Sequence, residues 1–125
     1  MFKTLICIGL GSFAGGITRF LVCTLVQKFI SDFFALGTFL VNIIGCFAIG
    51  VIFGLIEKEY LISFNLKMFL VVGFCGGFTT FSSFINENYQ LFDQKNFYFL
   101  LFYTATSLIG GFVMLFLGRS ITKLF

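Results

Sequence analysis

An all-α membrane protein of four transmembrane helices is the fold class the sequence predicts, from three observations. Hydrophobic residues make up 59% of the 125 and charged residues only 10%, with a mean hydropathy of +1.09, a balance outside that of soluble globular domains. The apolar residues gather into four runs, about 5–26, 33–56, 66–91 and 97–118, each long enough for the roughly 20 residues that cross a hydrocarbon core. Polar residues fall between the runs in short clusters, Gln27 to Asp32, Glu57 to Tyr60 and Asp93 to Asn96. Connections that short make neighbouring helices antiparallel within one small membrane domain, residues 1–125.

The first span follows Lys3, an arrangement shared with signal peptides, but its apolar run exceeds an h-region and three further spans follow it. It is therefore read as a span. Arg19 lies late within it, and an ionisable residue at membrane depth is a functional candidate by default. Two readings stand: a structural ion pair with Glu87 or a snorkelling side chain, and a permanent positive charge in an anion vestibule. A guanidinium suits the second because it keeps its proton inside proteins.

The second span carries Gly37-Thr38-Phe39-Leu40-Val41-Asn42-Ile43-Ile44-Gly45, with Asn42 its only amide. The Asn42 NH2 group offers two donors without a charge. It serves either an interhelical hydrogen bond or an ion that must be stripped of water without being trapped.

The third span holds the most informative segment, Gly73-Phe74-Cys75-Gly76-Gly77-Phe78-Thr79-Thr80-Phe81-Ser82-Ser83-Phe84. Paired glycines weaken a helix by about 1 kcal/mol each relative to alanine. Gly76 and Gly77 are thus expected to break the span near its centre, in a chain without proline. Non-helical backbone at that depth must be buried in protein or line a wet cavity. Unwound carbonyls suit small cations and freed N–H groups suit anions. Phe81 and Phe84 share a face, with Ser82 and Ser83 between them. A phenyl ring edge is electropositive and tolerates an anion, while core packing is the ordinary use of such a pair. Glu87 follows one turn later and falls toward the same membrane face as Arg19, because odd-numbered spans run the same way.

In the fourth span Tyr103, Ser107 and Gly111 recur every four residues and form a thin polar stripe. The stripe either lines a pathway or joins helices. Thr104 and Thr106 lie off it and are expected to bond back to their own helix.

The remaining composition excludes several classes. There is no histidine, which removes the commonest acid/base catalyst, so an enzyme is not expected. Cys7, Cys23, Cys46 and Cys75 all lie in spans with no CxxC spacing, and are read as packing residues rather than a disulfide or zinc set. No nucleic-acid partner is expected. GxxxG spacings at Gly11/Gly15, Gly50/Gly54 and Gly73/Gly77 predict close helix approach. Four such helices do not readily enclose a pathway of their own, whereas a dimer with eight does. Residues 13–20 and 74–81 both fit F-x-G-G-x-T-x-F, a faint internal echo at a shift of 61. If both termini share a side, that side holds Lys3, Lys58, Lys67, Arg119 and Lys123 against Lys28 and Lys95, which favours cytoplasmic termini.

These motifs resemble the Fluc (CrcB) fluoride channels nearly end to end. The match runs through Gly15-Gly16-x-x-Arg19-Phe20, Gly37-Thr38-x-x-x-Asn42-x-x-Gly45 and the whole segment from Gly73 to Phe84. The resemblance implies an antiparallel, dual-topology dimer in the bacterial plasma membrane, passively exporting cytoplasmic fluoride through two pathways. It implies a structural sodium ion at the dimer centre, held by the backbone carbonyls of Gly76 and Thr79. It implies that Phe81 and Phe84 meet fluoride with their ring edges, that Asn42, Tyr103 and Ser107 line the pathway with Ser82 and Ser83, and that Glu87 lies beside it. Where the family's stripe in span four continues with hydroxyls, this chain has Gly111 and Leu115. The partner is a second copy or, given the charge bias, an oppositely oriented homologue. Two alternatives remain: a small multidrug-type exporter, which needs an acidic residue in mid-span one that this chain lacks, and a non-transporting assembly subunit held by its GxxxG faces.

Overall fold

The structure, a computed structural model, describes residues 1–30, 35–59 and 62–125. The expected start of the second span at Phe33 lies outside the described residues, as do Ser31, Asp32 and Tyr60 of the polar clusters. Among the described residues, four helical spans are long and apolar enough to cross a membrane. The first is α1 (Phe2–Phe29) and the second α2 (Leu36–Glu57). The third, Phe64–Asp93, is composite: α3 (Phe64–Lys67), a π-helical stretch Met68–Cys75, α4 (Gly76–Phe78) and α5 (Phe81–Asp93). The fourth is α6 (Phe97–Ile121), closed by a 3-10 turn at Thr122–Leu124.

Local chemistry sets the ends. Ser63 Oγ accepts from the Leu66 N–H at 3.2 Å and Asn96 Oδ1 from the Phe99 N–H at 3.4 Å, satisfying donors that each new helix leaves unpaired. The α5–α6 corner is a Schellman turn: the Lys95 N–H reaches Phe92 O at 3.0 Å and the Asn96 N–H reaches Leu91 O at 2.9 Å. Lys95 stands at the left-handed position with φ 59°, where glycine is usual.

The bundle is built from two parallel helix pairs. In one, α1 lies along the third span. A Cβ on Gly11 would run into Phe69 O, one on Gly15 into Phe74 O, and one on Gly77 would come within 2.7 Å of Ser12 O. The Thr4 hydroxyl donates to Asn65 Oδ1 at 2.9 Å near the start of both. In the other pair α2 lies along α6, with Gly50 against Leu115 O, Gly118 against Phe47 O and Gly54 against Thr122. All three GxxxG spacings are therefore used within one chain, because their glycines are where two backbones touch. The echo segments also meet, since Gly77 packs on Gly16. The pairs join where Gly45 meets the Thr79 side chain and Gly37 meets Cys23. Few large side chains are buried; Phe84, Leu91 and Tyr103 form a small core with Ala35, and most apolar surface faces outward.

Candidate functional site

The third span does break, but not at its glycines. Gly76 keeps helical angles, φ −63° and ψ −36°, and the chain opens three residues later, at Thr79 (ψ 159°) and Thr80 (φ −150°, ψ 116°). Gly77 serves instead as the contact with α1. Distortion also begins earlier than the sequence suggests, in the π-helical winding of Met68–Cys75. Wide turns of this kind recur at functional sites.

Side chains substitute for the lost helical bonds. The Thr79 N–H and hydroxyl both donate to Cys75 O, at 2.9 Å and 2.8 Å. Asn42 bonds both ends of the next residue's backbone: its Oδ1 accepts from the Thr80 N–H at 2.8 Å and its Nδ2 donates to Thr80 O at 3.0 Å. Thr80 then caps α5, its Oγ1 accepting from the Ser83 N–H at 3.2 Å while donating to Ser83 Oγ at 3.1 Å. Ser82 Oγ lies 3.4 Å from the same hydroxyl. The hydroxyls of Thr80, Ser82 and Ser83 thus form one connected group at the start of α5.

Phe81 opens α5 on the outside, 72% exposed, whereas Phe84 one turn on is 6% exposed. Their ring centroids are 6.0 Å apart, and Phe84 meets Tyr103 at 5.1 Å in a T-shaped arrangement, interplanar angle 66°, the geometry the ring quadrupole favours. The Tyr103 hydroxyl donates to Glu87 Oε2 at 2.8 Å, and the Thr38 hydroxyl donates to Glu87 Oε1. Glu87 therefore ties α2, α5 and α6 together through neutral donors. Arg19 makes no ion pair or hydrogen bond among the described residues; the one salt bridge there joins Arg119 to Glu57.

A polar cavity of about 240 Å³ is lined by Cys23, Val26, Gln27, Gly37, Thr38, Ser83 and Glu87. Arg19 lies one turn before Cys23, on the same face of α1. Further along α6 from Tyr103 is Ser107, whose Oγ is buried with no hydrogen-bond partner among the described residues. Beyond it, Gly111 faces Cys46, and Leu115 backs onto Gly50. Tight α2–α6 packing therefore occupies the place where a polar stripe would continue. Off the stripe, the Thr104 hydroxyl reaches Asn88 Oδ1 at 3.1 Å rather than its own helix.

The structure thus joins Phe81, Phe84, Tyr103 and Glu87 in one group and Asn42, Ser82 and Ser83 in another. The two meet at the start of α5, and Arg19 and Ser107 stay outside their hydrogen bonds. Thr79 lies in the break and Gly76 in the helical turn before it, exposed. Thr38 and Thr80 were not singled out by sequence reasoning, although a signal existed: Thr38 stands four residues before Asn42, hence on the same face of α2. Cys23, read only as packing, lines the cavity.

A family model described as CrcB-like protein, Camphor Resistance (CrcB), matches residues 6–119. A protein of Azobacteroides pseudotrichonymphae named fluoride-specific ion channel FluC is 40% identical over 125 residues, covering all of both chains. Proteins of the same name from Flavobacterium psychrophilum and Chlorobium phaeobacteroides strain BS1 are 39% and 41% identical, covering 97% and 98% of this chain and 98% and 95% of theirs.

Proposed function

The chain belongs to the CrcB family of membrane proteins, a channel family and not an enzyme family, and on that premise we propose that it is a fluoride channel. Two copies inserted in opposite directions into the bacterial plasma membrane enclose two pathways, each drawing rings from both copies. The observation that carries this reading is the Ser107 hydroxyl, buried and unpartnered on the same face as Tyr103. A buried polar group without a partner calls for a ligand or a role, and a hydroxyl is a donor that an anion can use.

Fluoride is small and strongly hydrated, so a pathway must replace its water with several donors, none strong enough to hold it. The residues fit that requirement in sequence. Thr38, Ser83 and Glu87 line a polar cavity beside Arg19, whose charge draws anions in. Phe81 and Phe84 follow with electropositive ring edges. Tyr103 and Ser107 continue with hydroxyls. Glu87 fixes the Tyr103 ring, which in turn sets the tilt of Phe84. No proton relay is needed for passive export.

The third span supports the reading of a second copy. Exposed Phe81 and Ser82 adjoin open backbone at Thr79, and lipid offers no partner for such groups. A second third span laid against the first covers them. The same break fits a sodium ion: Gly76 and Thr79 have carbonyls outside the regular helical ladder, and unwound carbonyls hold small cations. When bound, sodium supplies a fixed positive charge and joins the two copies. Replacing Phe81 or Phe84 by isoleucine removes the ring edge while keeping bulk; fluoride flux from reconstituted vesicles should stop and dimer size in detergent stay unchanged. Undiminished flux would refute the assignment of these rings.

A further inference from the structure

We propose that Asn42 is a positioning residue that holds the third span broken and so frees the carbonyl of Gly76. The proposal rests on the channel reading above for what that carbonyl is used for, and on geometry for the rest. In a continuous α-helix each N–H bonds the carbonyl four residues earlier, so the natural partner of Gly76 O is the Thr80 N–H. That N–H is instead 2.8 Å from Asn42 Oδ1. The Asn42 amide also donates to Thr80 O at 3.0 Å, so both backbone groups of Thr80 are held from α2. Both ends of the side chain are thereby engaged.

The sequence around the break has little else to keep it open. Gly76 and Gly77 both accept helical geometry, there is no proline, and the Thr79 hydroxyl bonds back to Cys75 O in the manner of a helical threonine. Without Asn42, the Thr80 N–H has Gly76 O as its nearest replacement, and taking it would close the helix over the proposed cation site. A residue 38 positions away in sequence, with no contact to the ion, thus decides whether the ion has a ligand.

The test uses the full-length dimer in detergent, with thermal unfolding followed against sodium concentration and N-methylglucamine as the control cation. Asn42→Leu should raise the sodium midpoint at least tenfold or abolish the response. Asn42→Asp, which keeps an acceptor for the Thr80 N–H, should retain a midpoint equal to or below that of the native chain, even where its charge lowers fluoride flux. An unchanged midpoint in Asn42→Leu, with flux lost, would overturn the proposal and make Asn42 a pore donor. Thr79–Thr80 is the only Thr-Thr pair in the chain, so threonine labelled in both carbonyl and nitrogen isolates the Thr80 amide by NMR. If the native dimer has no sodium response, the cation part of the channel reading fails, and the clamp is judged by this amide. Slow exchange in the native chain and in Asn42→Asp, with a displaced resonance in Asn42→Leu, upholds it. Fast exchange of the Thr80 amide in the native dimer, or the same resonance in all three chains, overturns it.

Discussion

Ser107 shows how far a single side chain can be read from sequence. Its spacing from Tyr103 put it on a polar stripe, but only burial reveals that its hydroxyl has no partner among the described residues. Removing it should therefore cost no internal bond. Ser107→Ala is expected to keep or slightly raise thermal stability, since an unsatisfied buried group costs about 1–3 kcal/mol. Fluoride flux should fall by about tenfold, the equivalent of one hydrogen bond to a charged group. Parallel loss of stability and flux in unfolding and vesicle assays would show a structural role instead. Asn42 and Glu87 were legible as unusual residues, with their partners left open. An amide at membrane depth looks the same in sequence whether it serves an ion or a backbone, and the fold shows the backbone it holds, that of Thr80. Glu87 looked like a partner for Arg19 because both lie toward one membrane face, whereas the fold gives its carboxylate two hydroxyls.

At the scale of elements, the four spans and the break were legible because hydropathy and glycine content are local properties. The position of the break was not. Gly76 and Gly77 permit unwinding, but Gly77 packs on α1 and the opening falls at Thr79 and Thr80, where Asn42 bonds the backbone. The π-helical stretch left no mark in Met68–Cys75, whose residues are uniformly apolar. The GxxxG spacings predicted close approach, and the partner proves to be another helix of the same chain, which removes the surfaces an assembly subunit would need. This gives a contrast within α1. Gly9 has open space where a Cβ would go, whereas Gly15 abuts the Phe74 carbonyl. Gly9→Ala should stabilise by up to about 1 kcal/mol through helix propensity. Gly15→Ala should destabilise by about 1–3 kcal/mol through forced backbone shifts. Chemical unfolding of the two variants in the same detergent checks both, and equal effects would contradict the packing.

At the scale of the whole molecule, the proposed channel needs a second copy to complete each pathway. Its small core and outward-facing third span suit a partner as much as a bilayer, and the exposed Phe81 beside buried Phe84 is what a site shared between two copies requires. The charge bias of five against two among the loop lysines and arginines favours one insertion direction, which is why an oppositely oriented homologue stays a candidate partner. Passive fluoride conduction is the claim on which the rest depends. Its most direct measurement is efflux from liposomes containing the purified dimer, loaded with both fluoride and chloride and followed by ion-selective electrodes. Rapid fluoride release with chloride retained is the predicted result, and fluoride retained in vesicles shown to contain intact dimer would contradict it.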